Sequence, residues 1–311
     1  IFGASKKYNT PILFEASVGG GIPIIKALRE GFVSNKIDSV YGIINGTCNY
    51  ILSKMSDEGI TFRAALRSAQ KMGVAEANPS LDIKGIDSAH KLAILAMLGF
   101  KVLPDMKQIY CEGILDIEPC DIKYAREMGY EIKLLAIAKK SADKVEARVH
   151  PTLIAKEHLL ANVKGVYNAI YVKGDLIGES LFYGKGAGKQ PTASAVVSDI
   201  VDLARGCSQP PLVFSQGAGR IKQVGEIKSK FYIRFSAIDK PGVLSSISGI
   251  LSKYNISISS VTQKQERREK VVPIVMMTHM AQEKNLQKAL KAVNALPTIR
   301  KKSVAIRMET L

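Results

Sequence analysis

No run in these 311 residues reaches the ~20 consecutive apolar residues that a membrane helix needs. The first segment, IFGASKKYNTP, lacks the apolar stretch of a signal peptide. Both absences point to a cytoplasmic protein. The first residue is Ile, not Met, so the chain is expected to begin inside a longer gene product. Cysteine is scarce: Cys48, Cys111, Cys120 and Cys207 include no Cys-x-x-Cys pair. His90, His150, His158 and His279 stand at no metal-ligand spacing from them. These spacings exclude a ready zinc site and predict reduced, mostly buried thiols. Also missing is a Gly-x-Gly-x-x-Gly turn between a strand and a helix, the mark of a dinucleotide-binding half.

What is present fits a soluble globular protein, with 46% hydrophobic and 23% charged residues. The length allows two domains and a small extra module. The net charge of +16 raises nucleic acid as a partner. From Lys228 to the end there are 16 Lys and Arg against 5 Asp and Glu, an excess of 11. The basic run KQERREK is broken by acids and reads as a solvated hairpin tip. No nucleic-acid motif or aromatic–basic stripe accompanies it, so nucleic acid is not expected to bind.

Along the chain, residues 1–8 read as the end of a helix and ILFEAS as a short apolar strand. VGGGIPIIKAL places three glycines before Pro23, near the first turn of a helix. DSVYGIINGTCNYILSKM reads as strand, turn and helix, and TFRAALRSAQKM has helical apolar spacing. KLAILAMLGF is a buried helix. GVYNAIYVKGDLIGESLFYGKGAG alternates as a hairpin does, and PTASAVVSDIVDLAR is a helix with Pro191 near its start. SQPPLVFSQGAGR is linker-like. After it come strand, helix, strand, strand, helix and strand, the order of a ferredoxin-like module.

The densest chemistry lies in AQKMGVAEANPSLDIKGIDSAHK, which sets Glu76, Asp82, Asp87 and Lys91 just before the apolar helix. Three carboxylates beside one lysine suit a small substrate that carries an ammonium group and needs a proton moved. Asp87 and Lys91 are four apart on a helix expected to begin near Ile86, so they share a face. Alone, such a pair reads as a surface salt bridge worth ~0.3–0.5 kcal/mol. At the mouth of a buried element, the lysine can instead serve as a proton donor. Asn45-Gly46-Thr47 reads either as a pocket-side turn or simply as a turn with Thr47 capping the next helix.

Taken with FEASVGGGIPII, INGTCNYIL and YGKGAGKQPTASAVVSD, this segment closely resembles the signature of monofunctional homoserine dehydrogenases. The resemblance implies an NAD- or NADP-dependent oxidoreductase interconverting L-aspartate 4-semialdehyde and L-homoserine, in threonine, methionine and isoleucine biosynthesis. It implies Lys91 as the catalytic proton donor, with Glu76 and Asp87 holding the amino-acid end of the substrate and Asp82 supporting them. Gly73 and Gly188 would approach the cofactor, though Lys189 and Gln190 stand where the family more often has small residues. Backbone carbonyls of Glu15, Val18, Gly20 and Ile22 would hold a monovalent cation, usually sodium.

The last third resembles an ACT domain through DKPGVL after its first strand and YNISISSV leading into its second. An amino-acid effector near Asp239, Gly242, Val243, Leu244, Asn255 and Ile256 is implied, as is a homodimer or homotetramer. A plain strand–turn–helix without ligand is the other reading of those residues. The implied fold class is α+β: a mixed α/β substrate and dimerisation domain, its sheet covered by helices, then a βαββαβ ACT domain. The implied division is 1–14 (remnant of a nucleotide-binding domain), 15–188 (substrate and dimerisation), 189–207 (a helix returning to the nucleotide-binding domain), 208–229 (linker) and 230–311 (ACT).

The family's Rossmann half has no counterpart here, so the chain alone is expected to bind NAD(P) poorly and be inactive. Ala195, Val196, Val197, Ile200, Val201 and Leu203 are expected to lose cover and make that helix mobile or drawn into a new contact. A non-enzymatic amino-acid sensor derived from the enzyme is the rival reading.

Overall fold

The computed structural model describes residues 1–206, 210, 212–216, 221–263 and 271–311. Cys207, the KQERREK tip and part of the linker-like stretch fall outside them. The backbone is an eleven-stranded mixed sheet with helices packed on it, beside a separate two-stranded pair. Along the main sheet the strands lie in the order Ile258–Gln263, Val271–Thr278, Lys228–Ile238, Ile299–Met308, Lys144–Ala155, Tyr130–Ser141, Ile37–Ile43, Tyr167–Gly174 and Gly178–Lys185, with Tyr110–Cys111 on Lys144–Ala155 and Ala281–Gln282 on Lys228–Ile238.

The first half opens with α1 (Phe2–Tyr8), as expected. ILFEAS is not a strand: its end turns as a short 3-10 segment, Glu15–Ser17. The reason is local. The Glu15 carboxylate accepts from the amides of Ile25 and Lys26, both at 2.8 Å, so the chain must fold back toward α2 (Ile24–Lys26) instead of extending. Pro23 stands just before α2, which passes into a π turn over Ala27–Gly31.

Strand β1 (Ile37–Ile43) leads into α3 (Gly46–Glu58). Asn45, not Thr47, caps α3, its Oδ1 accepting from the Cys48 amide at 2.8 Å. Gly59 ends α3 at φ 67°, a conformation that costs glycine little. Then follow α4 (Phe62–Lys71), α5 (Ser80–Ile83) and α6 (Ile86–Phe100). Helix α6 buries Leu92, Leu95, Ala96 and Leu98 over β4 (Tyr130–Ser141) and β5 (Lys144–Ala155). Between them lie β2 (Val102–Leu103), β3 (Tyr110–Cys111) and α7 (Pro119–Glu127). Strands β6 (Tyr167–Gly174) and β7 (Gly178–Lys185) form the expected hairpin, and α8 (Lys189–Ala204) follows. On α8, Val196, Val197, Ile200, Val201 and Leu203 are exposed, whereas Ala195 is covered. Strand β8 (Ser215–Gln216) pairs with β2.

The second half is β9 (Lys228–Ile238), α9 (Val243–Lys253), β10 (Ile258–Gln263), β11 (Val271–Thr278), the short β12 (Ala281–Gln282), α10 (Glu283–Asn294) and β13 (Ile299–Met308). This is the expected ferredoxin-like order. Phe231, Ile233 and Phe235 pack under α9 and α10. Tyr232, on the opposite face, enters the core of the first half together with Val275, Met277 and Ile306. Strand β13 also pairs in parallel with β5, through Arg307↔Thr152 and Met308↔Leu153.

Buried ion clusters tie the two halves. Asp121, fully buried on α7, accepts from Arg234 at 2.6 and 3.0 Å and from the Tyr232 hydroxyl at 2.8 Å. Arg148 on β5, also fully buried, donates to Glu309 at 2.5 Å and to His150 Nε2 at 2.7 Å. Burial and the neighbouring Arg307 and Arg148 hold His150 neutral, its pKa well below the usual value. Cys48, Cys111 and Cys120 are free thiols; against the expectation of mostly buried thiols, Cys48 alone of the three is buried, Cys120 is half-buried and Cys111 is exposed at the end of its strand. Burial pushes the Cys120 thiol up to about 11.

Candidate active site

Three elements converge where β1 ends. The carbonyl of Ile44 and the side chain of Asn45 leave β1, and α5 brings Asp82. Helix α6 brings Asp87 in its first turn and Lys91 one turn later. Gly85, at φ 80°, makes the sharp link between α5 and α6 that sets Asp82 near Asp87.

One amide joins the carboxylates. Asn45 Nδ2 donates to Asp82 Oδ1 at 2.7 Å and to Asp87 Oδ2 at 2.9 Å. Lys91 Nζ donates to the same Asp87 Oδ2 at 2.7 Å and to the Ile44 carbonyl at 3.2 Å. The Lys91 and Asp87 side chains keep 23% and 29% of their surface in solvent, so a small ligand can reach both. Among the described residues, Asp87 Oδ1 and Asp82 Oδ2 have no protein donor, and these two oxygens can receive an ammonium group. Glu76 is exposed, its carboxylate without a partner among the described residues, on the turn that Gln70 holds through the carbonyls of Glu76 and Ala77. Thr47 Oγ1 donates to the Val74 carbonyl at 2.9 Å and so ties the segment after Gly73 to the start of α3.

The glycine-rich loops form a second cluster. Gly20 lies against Gly186: a Cβ on it would come within 2.5 Å of the Gly186 carbonyl. A Cβ on Gly186 would overlap the Asn168 amide at 1.8 Å, and Gly46 lies 3.7 Å from Asn168 Oδ1 on the same measure. The turn before α3 is thus joined through Asn168 to the 184–188 loop. Asn168 Oδ1 is buried without a hydrogen-bond partner. Gly73 (φ 69°) has open space on its Cβ side, and Gly188 (φ 117°) meets only the Pro191 ring at 3.5 Å, so a flat ring can approach backbone at both.

Glu15, Val18, Gly20 and Ile22 lie on one loop. The Glu15 side chain is committed to α2, and burial pushes its pKa up against those two amide bonds. The Ile22 carbonyl accepts from the Ile24 amide at 2.8 Å. No group of three or more His, Cys, Asp or Glu side chains among the described residues is placed to hold a metal ion, so a cation in this loop would rest on carbonyl oxygens. In the second half, Asp239, Gly242, Leu244 and Asn255 are exposed at one end, whereas the Val243 and Ile256 side chains belong to the core.

Sequence reasoning missed three parts of the site: the bridging role of Asn45, the Ile44 carbonyl and the buried Asn168. Asn168 left one trace, a polar residue in the apolar alternation of GVYNAIYV.

A helix-mouth Asp–Lys pair flanked by further carboxylates, on a sheet continuous with a βαββαβ module, defines an amino-acid enzyme bearing an ACT domain. Family models agree: the homoserine dehydrogenase model matches residues 23–201 and the ACT domain model residues 231–298. Homoserine dehydrogenase of Neisseria gonorrhoeae is 46% identical over 320 residues, covering 100% of this chain and 74% of that protein. The Helicobacter pylori enzyme is 49% identical over 302 residues, covering 97% and 72%. The crystal structure of a homoserine dehydrogenase from Thiobacillus denitrificans superposes with a TM-score of 0.92 at 45% identity, covering 99% of this chain and 72% of that one. The chain belongs to the homoserine dehydrogenase family, NAD(P)-dependent oxidoreductases that interconvert L-aspartate 4-semialdehyde and L-homoserine. The match runs through residues 69–91 and disfavours a purely sensing module.

Proposed function

We propose that Lys91 is the proton donor and that Asp87, Asp82 and Glu76 hold the substrate ammonium. The observation that carries this reading is the double acceptance at Asp87 Oδ2. Lys91 and Asn45 both donate to that oxygen and leave Oδ1 open toward solvent. With the ammonium on Asp87 Oδ1 and Asp82 Oδ2, Lys91 is placed to give its proton to the oxygen of the reacting carbonyl. In the reverse direction Lys91 takes the hydroxyl proton of homoserine. The nicotinamide cofactor supplies or accepts the hydride when bound, and Gly73 and Gly188 are the backbone points that would meet its ring. A hyperthermophilic archaeal homoserine dehydrogenase, 31% identical with a TM-score of 0.57, is known in complex with NADPH, which favours NADP as the cofactor here.

The finer parts of the reading follow from the family resemblance. Carbonyls of Glu15, Val18, Gly20 and Ile22 take a structural sodium ion. An amino-acid effector docks at the exposed Asp239–Gly242 turn, Leu244 and Asn255, with Val243 and Ile256 offering backbone alone. Residues 15–188 form the substrate and dimerisation unit and 230–311 the regulatory one, in a homodimer or homotetramer serving threonine, methionine and isoleucine biosynthesis. No helix among the described residues is long and apolar enough to cross a membrane.

Calorimetric titration with L-homoserine tests the site. Binding is expected in the wild type and in Lys91→Ala, and strong weakening in Asp87→Asn. In the active enzyme, Lys91→Ala should lower homoserine oxidation by about 10²–10⁴-fold. Unchanged binding in Asp87→Asn would overturn the assignment.

A further inference from the structure

The substrate carboxylates rest on a platform that the ACT domain grips. Arg307, on β13, is 3% exposed. Its Nε and Nη2 donate to the two oxygens of Glu283 at 2.8 and 2.7 Å, within the ACT domain. Its remaining N–H groups cross into the substrate domain. Nη1 donates to Glu112 Oε2 at 2.7 Å, and Nη2 to the Tyr110 hydroxyl at 3.0 Å. The guanidinium also lies 4.7 Å from the centre of the Tyr110 ring. Tyr110 in turn donates to Glu112 at 2.7 Å, and the Glu112 amide donates to the Val149 carbonyl at 2.8 Å.

The segment so held lies directly under the link between Asp82 and Asp87. Cys111 Sγ donates to the Lys84 carbonyl at 3.2 Å, and the Ile114 amide to the Ile83 carbonyl at 3.0 Å. Gly113 is packed so closely that a Cβ would come within 2.0 Å of the Ile83 carbonyl. A Cβ on Gly85 would meet Cys111 Sγ at 3.1 Å. Ile83, Lys84 and Gly85 are all but one of the residues between Asp82 and Asp87. A shift of the 111–114 backbone therefore has no slack in which to dissipate.

Glu283 alone neutralises Arg307. The second carboxylate, Glu112, is not needed for charge balance, and its bond to Arg307 serves orientation across the domain boundary. We propose that Arg307 is a positioning residue for the substrate site: through Glu112 and Tyr110 it fixes the platform that sets the separation and direction of Asp82 and Asp87. The ACT domain is then part of the active-site scaffold, and displacement of β13 is felt at the ammonium pocket. By linkage, a ligand on the carboxylates restrains β13 by the same factor.

This inference rests on the assignment of Asp82 and Asp87 as ammonium ligands, and two readouts separate them. Glu112→Gln and Tyr110→Phe keep size and leave the Arg307–Glu283 pair intact. Hydrogen exchange, followed on the wild-type chain and on each variant, reports the platform without any ligand. Faster exchange is expected at the Ile114 and Gly85 amides, and calorimetry should show L-homoserine affinity weakened by about fivefold or more. Arg307→Lys should reproduce both effects. Exchange and affinity unchanged in folded variants, or faster exchange confined to β13 and α10, would overturn the proposal. Should wild-type chain fail to bind homoserine, the ammonium-site assignment falls, and exchange at Ile114 and Gly85 still decides whether Arg307 holds the platform.

Discussion

Arg234 and Asp121 meet across the boundary between the two halves of the chain as a bidentate pair, at 2.6 and 3.0 Å, with both side chains almost wholly out of solvent. Removing Asp121 leaves the buried Arg234 with only its longer, 3.5 Å contact to the half-exposed Glu118. Asp121→Ala is therefore expected to cost about 3–5 kcal/mol. Urea unfolding of the variant checks this; a loss below 1 kcal/mol would show that water reaches Arg234 freely.

Asn45→Asp separates two jobs of one side chain. Aspartate caps a helix as well as asparagine does, so α3 should stay intact. The donors to Asp82 and Asp87 are lost and a third negative charge arrives. Stability should fall by about 1–3 kcal/mol at pH 7. Protonation relieves crowded carboxylates, so the deficit should shrink as pH falls toward 4. Melting temperatures at the two pH values, wild type against variant, give the answer; a deficit that grows in acid would contradict the geometry.

Lys133 is buried in β4, donating to the Val163 carbonyl at 2.5 Å. Burial pushes its ammonium down to about 8, from 10.5 in the free side chain. Between those values the folded chain holds fewer protons than the unfolded chain, so this group's contribution to stability rises with pH across that window. Below pH 8 the penalty is fully present, on the order of 3 kcal/mol. Lys133→Met should remove that rise, measurable as a flatter dependence of unfolding free energy on pH from 8 to 10.5.

The apolar stripe on α8 predicts a solution behaviour. Val197 and Ile200 are 55% and 58% exposed. Replacing both with Glu should change folding stability by less than about 0.5 kcal/mol each. It should also reduce self-association of the isolated chain in sedimentation velocity. An unchanged sedimentation profile would mean the stripe drives no contact between copies.

Elements governed by local rules were legible in the sequence. The helix after the Asn-Gly turn, the 3.6-residue spacing of α4, the apolar run of α6, the β6–β7 alternation and the βαββαβ order each follow from neighbours within a turn or two. The Asp87–Lys91 pair was legible for the same reason: four residues on a helix fix a distance. ILFEAS misled because its apolar residues suit a strand, while its fate is set by where one carboxylate finds two free amides ten residues later. The Arg234–Asp121 and Arg307–Glu112 contacts span 113 and 195 positions. No periodicity carries such a distance. Nor could spacing reveal that Asn45 joins Asp82 to Asp87, since that depends on the bend at Gly85.

Strand β9 sends alternate side chains into two different cores, Phe231, Ile233 and Phe235 to one and Tyr232 to the other. Neither core is closed until this strand lies between them. Heating should then give a single calorimetric transition, because melting either side strips the wall from the other. Proteolytic excision of the C-terminal module should leave a substrate domain that aggregates, although each module looks autonomous when its sequence is read alone.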